Sequence, residues 1–186
     1  MRIYLAGPDV FLADAREVGR RKVELCAQRG FTGLFPLDTE LPSGDAFARR
    51  VFRANCELME SADVGLVNLT PFRGPSADAG TAFELGFLFA RRKLVIGYSS
   101  DPDVYLARVA RSHGPLARWN DVAWDRDELM VEGFGLLDNL MLTEAIAELG
   151  GEIVAVAESG EEALAALGAF RVSLDVLARR ESAGPN

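Results

Sequence analysis

Apolar residues in this chain fall into short blocks separated by longer amphipathic stretches. Residues 2–6 (RIYLA) read as a short buried strand that Gly7-Pro8 ends. Residues 13–29 follow at helical spacing through Val18, Lys22, Leu25 and Cys26, and Gly30 stops that helix. Residues 31–37 form a second short strand, closed by Pro36. Residues 41–46 are loop-like. A second helix runs from about 45 to 61, with Phe47, Val51, Phe52, Leu58 and Met59 on its apolar side. Residues 63–69 (DVGLVNL) are a third strand, apolar enough to be covered on both faces. A Pro/Gly-rich loop at 70–77 leads into a third helix from Asp78 to about Arg92, and a fourth strand covers 93–98. The long polar stretch 99–127 reads as a lid or mobile loop. A helix over 138–149, a fifth strand over 153–157 and one or two helices from 159 to about 180 complete the pattern.

Strands alternating with helices in this way predict an α/β fold: a five-stranded, mostly parallel sheet, doubly wound, with helices on both faces. The length of 186 residues and a hydrophobic content of 49% fit one domain over 1–180. Residues 181–186 are expected to be a disordered tail. In such sheets ligands bind beyond the carboxyl ends of the strands, where strand order reverses. That brings residues 4–8, 68–78 and the segment after Tyr98 around one crevice.

Charge and the rarer residues narrow the chemistry. A formal net charge of −8 argues against a nucleic-acid polymer as partner, because phosphate binding rewards Lys and Arg. No apolar run is long enough to span a membrane, and residues 1–6 carry no signal-peptide pattern, so a cytoplasmic protein is expected. Cys26 and Cys56 lack metal or redox spacing and read as reduced thiols. The single histidine, His113, rules out a multi-histidine metal site. No cofactor is expected, and acid–base work falls to carboxylates and tyrosines.

The segment Asp78-Ala79-Gly80-Thr81-Ala82-Phe83-Glu84-Leu85-Gly86 is the strongest candidate site. Asp78 stands where a helix N-cap belongs, and Gly80 allows close approach to the first turn. Glu84 follows among Phe83, Leu85, Phe87, Leu88 and Phe89, which predicts a helix buried nearly all round. A carboxylate there is costly unless paired or used. Taken alone, the pattern also fits an Asp78 that only caps and a Glu84 that faces water. Tyr4 can be a core aromatic or a donor that orients a carboxylate. Arg73 can hold an anion or the Asp78 carboxylate, or lie exposed in its loop.

The chain resembles the nucleoside 2-deoxyribosyltransferases. The matching residues are Ile3-Tyr4-Leu5-Ala6-Gly7-Pro8, Ala62-Asp63, Asn68-Leu69-Thr70-Pro71-Phe72-Arg73-Gly74-Pro75 and the 78–86 segment. Val131-Glu132-Gly133-Phe134-Gly135-Leu136 and Asn139-Leu140-Met141 complete the match, which spans about residues 1–150. The resemblance implies a flavodoxin-like domain with Glu84 as nucleophile, Asp78 as the active-site aspartate and Tyr4 as the residue positioning Glu84. It implies that Asn139, with Met141, reaches the sugar 5′-hydroxyl in a neighbouring subunit, so that a homo-oligomer shares its active sites. Gly7, Pro8, Asn55, Arg73, Gly80 and Thr81 are expected around the substrate. Asn55 departs from the pattern, since the family places an acidic residue near the base. An amide hydrogen-bonds a base but cannot protonate it.

The implied reaction moves 2-deoxyribose between nucleobases through a deoxyribosyl–Glu84 ester, with 2′-deoxynucleosides and free nucleobases as substrates. One rival is an N-glycosidase that hydrolyses 2′-deoxynucleoside 5′-monophosphates. Another is a nucleotide-binding module without catalysis. A dinucleotide oxidoreductase lacks its glycine fingerprint after the first strand.

Overall fold

A computed structural model describes residues 1–37, 44–160 and 163–183. Five parallel strands form its centre: β1 (Arg2–Ala6), β2 (Thr32–Leu34), β3 (Val64–Asn68), β4 (Leu94–Ser99) and a fifth at Ile153–Ala155, numbered β8 in chain order. The order across the sheet is β2-β1-β3-β4-β8, and every neighbouring pair is parallel. Parallel pairing requires crossovers, supplied by α1 (Ala15–Ala27), α2 (Phe47–Ser61), α3 (Ala79–Ala90) and, before β8, α5 (Leu140–Glu148). Strand order reverses between β1 and β3, which opens the ligand crevice at their carboxyl ends.

Successive strand residues point to opposite faces, so each strand feeds two cores. Ile3, Leu5, Leu66, Ile96 and Tyr98 pack with Cys26 of α1 and with Phe170, Leu174 and Leu177 of the final helix, α6 (Leu167–Ala183). Tyr4, Ala6, Val67 and Val95 pack on the other face with Met59 of α2, Leu85 and Leu88 of α3, and Ile146 of α5. This alternation turns Tyr4 towards α2 and α3.

Three sequence expectations change. The polar stretch 99–127 is not a loop. It contains α4 (Tyr105–His113) and most of a small antiparallel sheet of β5 (Ala117–Trp119), β6 (Val122–Trp124) and β7 (Met130–Val131). Val109, Ala123 and Val131 give this unit a small core of its own. Asn120 and Asp121, both at positive φ, make the two-residue turn that joins β5 to β6. Helix α3 is not buried all round: Leu85 and Leu88 face the sheet, while Phe83 is 52% and Phe89 39% exposed. A uniformly apolar helix carries no periodic signal to say which face is covered. The expected tail is helical through Ala183, and residues 184–186 lie outside the described residues. Residues 41–43 of the loop expected at 41–46 also lie outside them; 44–46 form a turn before α2.

Candidate active site

Tyr4 and Glu84 lie 80 positions apart in the chain and meet in the crevice. The Tyr4 ring is fully buried in β1, and its hydroxyl donates to Glu84 Oε1 at 2.5 Å. Glu84 is half-buried on the second turn of α3. Burial pushes its carboxyl up to about 7, against the Tyr4 hydrogen bond, which favours the anion; the nearby Asp78 charge adds to the rise. The Tyr4 phenol is raised in turn by burial and by the Glu84 charge, so it stays a hydrogen donor. The Cys56 thiol, on the facing side of α2, is raised by burial and by Glu84.

Asp78 caps α3. Its Oδ2 accepts from Thr81 N at 3.1 Å and from Thr81 Oγ1 at 3.4 Å, holding the first turn of α3. Its Oδ1 makes no hydrogen bond among the described residues. A Cβ at Gly80 would lie 2.9 Å from Asp78 Oδ2, so a side chain there would push the carboxylate aside. Thr81 is buried beneath.

Gly7 and Pro8 form the other wall. A Cβ at Gly7 would lie 2.6 Å from Asn68 Cβ, so only glycine lets β1 leave the sheet this close to β3. Pro8 opens a short 3-10 turn, Pro8–Phe11. Phe11 stacks on Phe72 across the crevice, with ring centroids 5.1 Å apart and planes at 15°. Arg73 does not hold Asp78. At φ 55 it lays its guanidinium over Phe72 at 4.7 Å and over Phe11 at 5.6 Å. The loop conformation that makes this stack carries the side chain off the line to the helix cap.

On α2, Phe52 contacts Phe83 of α3, and Met59 is buried under the sheet. Asn55 shares this stripe at helical spacing. Its Oδ1 is buried without a hydrogen-bond partner among the described residues. Asn139 caps α5, accepting from Met141 N at 3.0 Å, and donates through Nδ2 to Glu132 Oε1 at 2.7 Å. Met141 is 70% exposed beside a groove formed by Leu85, Gly86 and Phe89 of α3 and Ala145 of α5. Neither residue bonds to Glu84 or Asp78 of its own chain among the described residues.

Two buried clusters were not anticipated. Arg108, fully buried, donates to Asp103 O at 2.8 Å and Pro75 O at 3.4 Å and faces Asp138 at 3.5 Å. Asp138 also accepts from Ser76 Oγ and from Ala77 N, tying α4 to the loop that leads into Asp78. Lys22 and Asp9 form a second buried pair, with Nζ 2.6 Å from Oδ2. A lysine inside the Val18–Leu25–Cys26 stripe of α1 was the only hint of it in the sequence. Among the described residues no group of three or more His, Cys, Asp or Glu can hold a metal ion, and no helix is long and apolar enough to cross a membrane.

An uncharacterized protein of Schizosaccharomyces pombe is 33% identical over 196 residues, covering 96% of this chain and 89% of its own. A 2-desoxiribosyltransferase from Leishmania mexicana matches in structure with a TM-score of 0.64 at 29% identity, covering 92% of this chain and 97% of that one. A conserved protein from Enterococcus faecalis V583 shares the fold, with a TM-score of 0.55 at 20% identity over 92% of this chain and 98% of its own. The family model for nucleoside 2-deoxyribosyltransferase matches residues 3–141, a span that holds Tyr4, Asp78, Glu84 and Asn139. With its Tyr4–Glu84 pair at the β1/β3 crevice and a match over most of its length, the chain belongs to the nucleoside 2-deoxyribosyltransferase family, whose chemistry is of the deoxyribosyl-transferring type.

Proposed function

We propose that this protein transfers 2-deoxyribose between nucleobases by double displacement, with Glu84 as the nucleophile. The observation that carries this reading is the 2.5 Å hydrogen bond from the buried Tyr4 hydroxyl to Glu84 Oε1. It aims one carboxylate oxygen and leaves the other for the substrate. Ionised Glu84 attacks C1′ of the deoxynucleoside from the face opposite the base. The C1′–O bond to Glu84 forms as the C1′–N bond breaks, and the base leaves with the bonding pair and takes up a proton. Asp78, whose Oδ1 is not spent on the cap, relays that proton directly or through water. A second base then attacks C1′, loses its proton and expels Glu84, giving retention overall. A carboxylate whose pKa has risen to about 7 is a stronger nucleophile, once ionised, than an ordinary glutamate. Glu84 lies beyond the first turn of α3, where the helix dipole has faded, so Tyr4 is the group that favours its anion.

Asn139 and Met141 serve a neighbouring subunit on this reading. The support is that Met141 projects from its own chain and that Phe89 presents apolar surface beside it. The active species is then a homo-oligomer, and Met141→Glu should shift the mass measured by light scattering towards the monomer. Two unpaired cysteines support a reducing, cytoplasmic setting.

Chromatography of the protein incubated with 2′-deoxyinosine and adenine tests the proposal. Formation of 2′-deoxyadenosine, lost in a folded Glu84→Ala variant, is the expected result. Hypoxanthine released with no new nucleoside would make the protein a hydrolase, and turnover by Glu84→Ala would remove the nucleophile assignment.

A further inference from the structure

The walls of the crevice are joined by a buried polar network that the reaction does not use. Asp9, within the 3-10 turn after β1, is 1% exposed. Its Oδ1 accepts from Asn68 Nδ2 at 2.8 Å, at the last position of β3. Its Oδ2 accepts from Lys22 Nζ at 2.6 Å. Lys22 is fully buried, donates also to Tyr98 OH of β4 at 3.0 Å, and lies over the rings of Tyr98 and Phe170. Asn68 donates further to Leu164 O and accepts from Thr70 N at 3.0 Å. The loop after β1, the ends of β3 and β4 and helix α1 are therefore tied into one buried network, with Asn68 and Lys22 bonded directly to the Asp9 carboxylate.

Stability does not account for this pair. Burying two charges costs about as much as their attraction returns, and apolar residues of similar volume commonly do as well or better. Directional bonds supply a fixed geometry that apolar packing does not. What they fix is the Pro8–Phe11 turn. Phe11 stands two residues beyond Asp9, half exposed, and stacks on Phe72 from the opposite wall under the Arg73 guanidinium. We propose that Asp9 and Lys22 are a positioning pair: they hold this turn so that Phe11 meets Phe72 over the crevice mouth, and so set the gap in which the deoxynucleoside is bound.

The proposal rests on the functional reading above, and its test separates the two. Lys22→Met alone leaves the Asp9 carboxyl buried without its cation and lowers the melting temperature. The paired variant Asp9→Leu/Lys22→Met removes both charges and regains most of that loss. A purely structural pair would then recover full activity. A positioning pair would not: KM for 2′-deoxyinosine stays raised by about tenfold or more while kcat changes far less, the split expected when binding geometry rather than chemistry is disturbed. Phe11→Ala, at a half-exposed position, leaves the fold intact and gives the same KM defect. Wild-type KM in the stable paired variant, or in Phe11→Ala, would overturn the proposal. If the unaltered protein exchanges no base, the functional reading has failed. The pair is then judged by the rise in melting temperature that 2′-deoxyinosine gives the unaltered protein, a rise the variants should lack and whose persistence in them would overturn it.

Discussion

Replacing Glu84 by Gln should stabilise the protein, and do so only when the solution is not acidic. In the folded protein, burial raises the Glu84 carboxyl from an ordinary 4.5 to about 7. Between those two values the folded chain binds more protons at this site than the unfolded chain, so stability falls as pH rises through the window. Below about 4.5 the cost is absent, and above about 7 it is complete. At about 1.4 kcal/mol per pH unit the full cost is about 3 kcal/mol. Glutamine keeps the shape and the acceptor for Tyr4 but does not ionise, so its stability escapes this slope. Any fixed penalty for the new amide is independent of pH and cancels when two pH values are compared. Urea unfolding of both proteins at pH 5 and pH 8 measures the difference. The Gln variant should gain about 2 to 3 kcal/mol on the unaltered protein between the two pH values. Two results would refute the reasoning: a gap that does not change with pH, or one that turns in favour of Glu84 as pH rises.

Tyr4→Phe removes the donor that favours the Glu84 anion, so Glu84 should titrate higher still. The acid limb of kcat/KM should move up by about 1 to 2 pH units, the worth of one hydrogen bond to a charged group, and a limb that stays put would mean Tyr4 does not govern Glu84. Asp78→Asn keeps an acceptor for Thr81 N, whereas Asp78→Ala loses the cap at about 1 kcal/mol of stability, which thermal melts can resolve. Both should lose turnover; if Asp78→Asn turns over normally, the carboxylate acts only as a cap. Asn55→Leu removes a buried acceptor that has no partner among the described residues, so it should melt no lower than the unaltered protein while KM for the free base rises. A lower melting temperature with unchanged KM would give Asn55 a purely structural role.

The sheet was readable because its strands are short, apolar and punctuated: RIYLA ends at Gly7-Pro8, and DVGLVNL runs unbroken between two polar stretches. Helix spacing located α1, α2 and α5 to within a few residues. Tyr4 and Glu84 were individually visible, but their contact came from the resemblance and not from spacing, since 80 residues separate them. The small sheet after α4 escaped because its strands are two or three residues long, too short to show alternation. Asp9, Lys22, Arg108 and Asp138 escaped for another reason. A charged side chain is ordinarily solvated, and only the tertiary fold reveals the partner that allows it to be buried. Arg73 was legible as a loop residue, but the aromatic stack that claims its guanidinium depends on a backbone turn at positive φ.

The central claim is a covalent bond between Glu84 and deoxyribose. Intact-protein mass spectrometry after incubation with a 2′-deoxynucleoside and no acceptor base addresses it directly. The protein should gain the mass of one deoxyribosyl group, peptide mapping should place that group on Glu84, and added base should discharge it. Steady turnover with no adduct on Glu84 under rapid acid quench, or an adduct on another residue, would contradict the account.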